Sequence, residues 1–348
     1  VDPTLEQMTG GLTPDHDLFF PEPPRDPEMR ESSSIWLYEE NGAFGLPRIG
    51  IEAEAKSWDE RGYQANFALG GGRILQARGS GAAHSPFGPD GRATVFGAGP
   101  LRFRCIEPFR RWEMSYDGTA IDGTVEQQIG RALDPDKRIP VRIEVEMEMA
   151  TPAWVHDNSP EQLAKMSEAE KADAASMGLG WRLEHTFRGE GTLHVDGGTR
   201  SFGCVGSRIK RQSVRPLASF RGHCWQSALF PDGRAFGFIT YPPAGDGSKP
   251  FNQGYVFQDG RMLPARATRI PWLQGLVGEG EDVSLELESE LGVARIEASS
   301  VLSTFMIMGR RDGLPFDFNL QQGGARYTWD GVGSYGMIER SLAAEPPA

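Results

Sequence analysis

The residues best equipped for chemistry in this sequence lie between positions 206 and 241. Arg208, Lys210, Arg211 and Arg215 place four cations within eight residues of an otherwise acidic chain. In a strand, Arg208 and Lys210 share one face while Ile209 and Arg211 share the other. An inward-facing pair could bind a carboxylate or phenolate, or depress the pKa of a neighbouring acid. The competing reading is a solvated edge strand guarded by charge. Downstream, His223 and Trp225 lie on one strand face, and a turn at Asp232-Gly233 brings Tyr241 alongside on the next strand. A histidine beside aromatic rings suits general acid or base chemistry near neutral pH, although a hydrogen-bonded core histidine would show the same spacing.

Further aromatic groups are candidates for a substrate wall. Trp36 and Tyr38 share a face, as core packing residues or as binding groups. Near the C-terminus, Tyr327, Trp329 and Tyr335 could stack on a planar or polyene ligand, or staple the last hairpin. Asp317 and Glu339 stand among apolar neighbours and would have a raised pKa if buried. Glu184 and His185 point to opposite strand faces. His185 could meet His194 across a hairpin, but no third ligand has metal-site spacing, so no metal is expected. His16, His84 and His156 fall in arm or loop segments and read as surface residues. Gly70-Gly71-Gly72 and the other glycine clusters lack the spacing of a phosphate loop, and no G-x-S-x-G elbow is present.

The elements that must position these groups are short strands. Gly (44) and Pro (25) make up about a fifth of the 348 residues, against about 12% in an average chain. Asn41-Gly42, Asp117-Gly118, Asp196-Gly197, Asp259-Gly260 and Asp330-Gly331 mark tight turns. Between them apolar and polar residues alternate, most clearly over residues 141–149, where Val141, Ile143, Val145, Met147 and Met149 interleave with Arg142, Glu144, Glu146 and Glu148. The rhythm predicts an all-β chain with an extended arm over 1–34 and one barrel or sandwich over 35–150. A helical connection over 151–180 starts at Ser159-Pro160, and a second barrel or sandwich fills 181–348. The net charge of −12 argues against nucleic-acid partners. No apolar run approaches the roughly 20 residues of a membrane span. Three scattered cysteines, Cys105, Cys204 and Cys224, suit reduced thiols and a cytoplasmic setting.

Several short motifs together carry a family resemblance. Gly206-Ser207-Arg208 with Arg215 downstream, then Gly222-His223 with Trp225, follow a strand pair turning at Asp196-Gly197. The chain closes on Tyr327-x-Trp329-Asp330-Gly331 and on residues 335–341. This pattern resembles a bacterial family related to hydroxyneurosporene synthase (carotenoid 1,2-hydratase) and the AttH-like group, over most of residues 35–341. The resemblance implies two tandem lipocalin-like antiparallel β-barrels with a ligand cavity in or between them. It also implies cofactor-independent chemistry on hydrophobic molecules, such as hydration of an isoprenoid double bond or pericyclic ring closure. Hydratase-like members carry an Asp-His pair and Trp-Gly after the arginine. Here that stretch reads Arg208-Ile209-Lys210-Arg211-Gln212-Ser213, so any activity must use other groups.

These readings lead to one expected function and one alternative. The expected function is a lyase or isomerase without organic cofactor, acting on an aromatic, phenolic or isoprenoid small molecule. His223, Tyr241, Lys210 and Arg208 would supply catalysis; Trp225, Tyr38, Trp36, Tyr327, Tyr335 and Arg215 would bind substrate. The alternative is a non-catalytic carrier of the same ligand class. Convergent polar groups in the cavity would favour the enzyme, and a uniformly apolar lining the carrier. Exposed strand edges would also permit a homo-oligomer.

Overall fold

A computed structural model describes residues 4–156, 160–214, 220–243, 247, 249–310 and 317–342. Its first strands are β1 (Met29–Glu39), β2 (Phe44–Glu54), β3 (Glu60–Leu69), β4 (Arg73–Ala82), β5 (Val95–Ala98), β6 (Leu101–Glu107), β7 (Arg111–Thr124) and β8 (Arg138–Met149). Next come the two-residue β9 (Trp154–Val155) and the long hairpin β10 (Leu179–Val195) and β11 (Gly198–Val214). The remainder are β12 (Gly222–Leu229), β13 (Ala235–Thr240), β14 (Asn252–Gln258), β15 (Arg261–Arg269), β16 (Leu285–Ser289), β17 (Gly292–Arg310), β18 (Asp317–Trp329) and β19 (Val332–Leu342).

The alternation read from the sequence sets which side of each strand is buried. On β8 the five apolar residues are buried and the intervening Arg142, Glu144, Glu146 and Glu148 are exposed. Asp196-Gly197, Asp259-Gly260 and Asp330-Gly331 have positive φ at both residues, as two-residue hairpin turns require. Strands β4-β3-β2-β1-β11-β10-β8-β7 pair in that order, and β4 pairs again with β7, which closes eight strands into a ring. Strands β12 to β19 form a second closed antiparallel barrel in sequence order. The chain is therefore two tandem lipocalin-like barrels.

The barrels divide the chain differently from the expected boundaries. β10 and β11, residues 179–214, complete the first barrel between β8 and β1 instead of opening the second. Without this hairpin, β1 and β8 would present two unpaired edges. For the same reason β11 is no edge strand: it has partners on both sides. The helical connection is two helices, Pro160–Leu163 and Glu168–Met177, and the capping box that starts the longer one uses Ser167 and Glu170. The expected cap Ser159 lies outside the described residues. The arm ends at Met29, where β1 begins. Residues before it enter the first barrel, where Met8, Asp17 and Phe19 are buried.

Four apolar clusters form among the described residues, the smallest made of Ile74, Val125 and Phe305. One fills each barrel. A third lies between them, where Trp36, Tyr38, Val205 and Ile209 on the outer face of the first barrel meet Trp225, Ile239, Tyr255 and Met337 of the second. No helix among the described residues is long and apolar enough to cross a membrane.

Candidate functional site between the barrels

Strand alternation carries Arg208 and Lys210 into the first barrel, away from the second. Arg208 Nη2 donates to Asp17 Oδ1 at 2.6 Å with both side chains fully buried. The other Asp17 oxygen accepts from the Phe109 backbone N–H at 2.6 Å and from Trp112 Nε1 at 3.0 Å. Lys210 Nζ donates to the carbonyls of His16 at 3.0 Å and Leu18 at 2.5 Å. Burial lowers its pKa to about 8 despite Glu31 nearby. Arg208 thus binds a carboxylate, but one supplied by the chain's own arm, Lys210 holds two carbonyls of the same arm, and their placement removes both residues from the site between the barrels.

His223 and Trp225 do face that interface, on the same side of β12. His223 Nε2 lies 3.3 Å from Glu339 Oε1, and Nδ1 lies 2.7 Å from Ser341 Oγ. Glu339 and Ser341 share a face of β19, and His223 pairs directly with Ser341 across the ladder. Glu339 Oε2 accepts from Gln322 at 2.8 Å and pairs with Arg48 at 3.5 Å. Burial alone would push the Glu339 carboxyl up; Arg48, His223 and Gln322 outweigh it and hold the pKa at about 2. The expectation that a buried Glu339 would have a raised pKa is corrected by these partners. An ionised carboxylate only accepts, so the His223 Nε2 hydrogen points to Glu339; in the neutral ring Nδ1 is then the acceptor facing Ser341 Oγ.

The cluster draws on both barrels. Arg48 reaches it from β2, where a register shift between Gly45 and Ile49 and a φ of 77° at Arg48 turn the side chain toward β19. Gln64 and Asn66 on β3 each donate to Gln322 Oε1 at 3.0 Å. Tyr38 donates to the Gly323 carbonyl at 2.5 Å. Burial, then the Glu339 charge, raise its pKa well above 10, so it remains a neutral hydroxyl. Its ring lies so close to Gly324 that a Cβ there would come within 2.5 Å of it.

A second polar cluster lies beyond the edge-to-face pair of Trp36 and Trp225, whose ring centroids are 4.7 Å apart. Glu184 Oε1 meets His156 Nε2 at 3.0 Å and Arg182 at 2.7 Å, while Oε2 accepts from Trp225 Nε1 at 3.0 Å. Burial opposes ionisation of Glu184, but Arg182 and His156 lower its pKa overall. Burial, then Arg182, lower His156 to about 4. His156 is therefore no surface residue: the Trp154 ring lies tilted against it with centroids 4.2 Å apart, and only 2% of it is exposed.

Other candidates disperse. Tyr241 lies beside Phe220, which also touches His223, and its hydroxyl accepts from Ser176 at 3.1 Å. Tyr327 and Trp329 point into the second barrel, where Tyr327 donates to Gln226 and the Met337 carbonyl, whereas Tyr335 packs on the interface side. They form no common wall because Tyr335 has the opposite facing in its barrel. His185 and His194 lie on one strand nine positions apart, about 30 Å, so they cannot meet across a hairpin. Arg215 and the Asp317 side chain lie outside the described residues.

Two openings approach the interface. A cavity of about 220 Å³ is lined by Ser34, Arg48, Gly50, Tyr63, Gln64 and Arg78, and so shares Arg48 and Gln64 with the His223 cluster. A groove of about 1040 Å³ runs past Trp154, Tyr255, Met262 and Pro264, with Trp154 separating it from His156.

Fold and site together define a tandem lipocalin-like protein with buried ionisable groups between its barrels. Residues 14–343 match the model of a family described as a domain of unknown function (DUF7064), and the chain belongs to that family. No curated protein shows significant similarity. Among solved structures, an AttH-type protein from Nitrosomonas europaea is 13% identical, with 94% of this chain and 97% of that one covered at a TM-score of 0.57. CghA is 12% identical, with 92% and 90% covered and a TM-score of 0.56. CghA with Sch210972 is 10% identical over the same shares, at 0.53. At these identities the likeness is one of fold.

Proposed function

We propose that the chain is a cofactor-independent enzyme of lyase or isomerase type, acting on a hydrophobic small molecule where the two barrels meet. His223 is its general acid/base. The observation that carries this reading is the Ser341–His223–Glu339 array, buried among Trp225, Phe220 and Tyr241 at the barrel junction. Glu339 fixes the imidazole tautomer, and Arg48 and Gln322 fix Glu339. Nδ1 is then the nitrogen available to take a proton, through or in place of the Ser341 hydroxyl. Tyr38, held neutral, and the Trp36 and Trp225 rings give the junction apolar and aromatic surface for an aromatic, phenolic or isoprenoid substrate. The structural likeness to CghA, crystallised with Sch210972, supports the fold's capacity to hold a small organic molecule at this scale.

The test is a panel of isoprenoid alkenes and phenolic alcohols incubated with the protein, with gain or loss of water or isomerisation followed by mass spectrometry and chromatography. Turnover by the wild type should fall about 10²- to 10⁴-fold in His223→Ala while the far-ultraviolet circular dichroism is unchanged. Tight binding without turnover, unaltered by His223→Ala, would favour the carrier instead.

A further inference from the structure

The interior of the first barrel carries more hydrogen-bonding capacity than its own residues use. Arg208 is fully buried and its guanidinium lies 3.6 Å over the Trp112 ring, which fixes its plane. Nη2 is taken by Asp17, but Nε and Nη1 have no hydrogen-bond partner among the described residues. His185 faces Arg208 directly across the β10–β11 ladder and is 1% exposed. Neither of its ring nitrogens makes a well-formed hydrogen bond among the described residues, although the Met8 backbone lies beside the ring. Burial, then Arg208, lower its pKa to about 4, so it enters this cluster as a neutral ring.

Charged groups are concentrated in the same place. Among the described residues, Arg208 pairs with Asp17 and Lys210 with Glu31, Arg61 lies in the field of Glu31 and Asp59, and burial raises the Glu31 pKa. Cys105, the other titratable neighbour, has its thiol pushed up by burial and is uncharged. Buried N–H donors without acceptors are costly. A small carboxylate placed between Arg208 and His185 would supply acceptors to the free Arg208 donors. We propose that the first barrel contains a binding site for a small organic carboxylate, seated beside Asp17 between the free Arg208 donors and His185. Asp17 holds Nη2, the nitrogen common to both two-donor edges of the guanidinium, so the ligand carboxylate accepts from Nη1 or Nε singly. The site is separate from the His223 cluster, which lies on the outer face of this barrel.

Thermal unfolding of the full chain in increasing sodium acetate tests the proposal, with ionic strength held constant by sodium gluconate, a much bulkier polyhydroxy carboxylate. The midpoint should rise saturably with acetate. Arg208→Lys keeps the charge but loses the Nε and Nη1 donors, and should weaken the apparent acetate affinity about ten- to hundredfold. Crystals soaked in sodium bromide give a second readout that needs no variant: an anomalous peak within hydrogen-bonding distance of Arg208 Nε or Nη1, displaced by acetate. Equal melting in acetate and gluconate would overturn the proposal, as would an acetate response unaffected by Arg208→Lys. A bromide peak at Arg208 that acetate does not displace would overturn the carboxylate assignment.

Discussion

At the scale of single residues, burial decides what each ionisable group can do. Glu339 and Glu184 remain carboxylates because cations and hydrogen-bond donors more than offset their desolvation. His156 and His185 have the opposite balance: burial and nearby arginines lower both from 6.5 to about 4. A histidine that is neutral when folded but protonates when unfolded gives the unfolded state more bound protons between these values. Stability should therefore fall as pH drops from about 6.5 toward 4, before the Glu339 pairing is lost at still lower pH. Urea midpoints measured from pH 7.5 to 4.5 check this, and the slope should be shallower in His185→Leu. A midpoint independent of pH over that range would contradict the burial of both rings.

At the scale of elements, the N-terminal arm is the least conventional part of the fold. Among the described residues it forms no strand before Met29, yet it delivers Asp17 to Arg208 and two carbonyls to Lys210 inside a closed ring of strands. Asp17→Ala leaves the Arg208 charge buried without its partner and should destabilise the protein by about 3–5 kcal/mol in urea unfolding. The double variant Asp17→Ala with Arg208→Leu should lose less than the sum of the two single changes, because removing both partners leaves no stranded charge. Additive losses would mean the pair does not act as a unit. The β2 irregularity at Arg48 works similarly on the outer face, since it turns one side chain across the junction to Glu339.

At the scale of the molecule, the two barrels divide the chain near residue 220 and share a packed apolar junction. A fragment over 181–348 would carry β10 and β11 without the strands they pair with, leaving a long hairpin with two open edges. It should aggregate or remain partly unfolded by size-exclusion chromatography and circular dichroism. A fragment ending at residue 214 keeps all eight strands of the first ring and should retain strand content, although its exposed Trp36 and Tyr38 face would promote self-association. Equal folding of 181–348 and a fragment starting at 220 would contradict the strand assignment.

Much of this architecture was legible in the residues themselves. Alternation over residues 141–149 marked the inward face of β8, Asp-Gly pairs marked the hairpins, and period two placed His223 with Trp225 and Arg208 with Lys210. These are local properties: a strand's facing and a turn's φ depend on residues a few positions apart. Sequence could not show which space each face looks into. Arg208 and Lys210 share a face as expected, but that face lines the first barrel and meets Asp17, 191 positions away. His156 appeared to belong to a surface loop until β9 and β10 placed it against Glu184, and Arg48 carried no signal beyond its position after Pro47. Glu339 shows the same limit in its chemistry, because its acidity depends on Arg48, 291 positions distant. The sequence determined the strands, their faces and their turns; closure of two rings decided which faces became interior and which became junction, since pairing partners and buried charges are set by contacts across the whole chain.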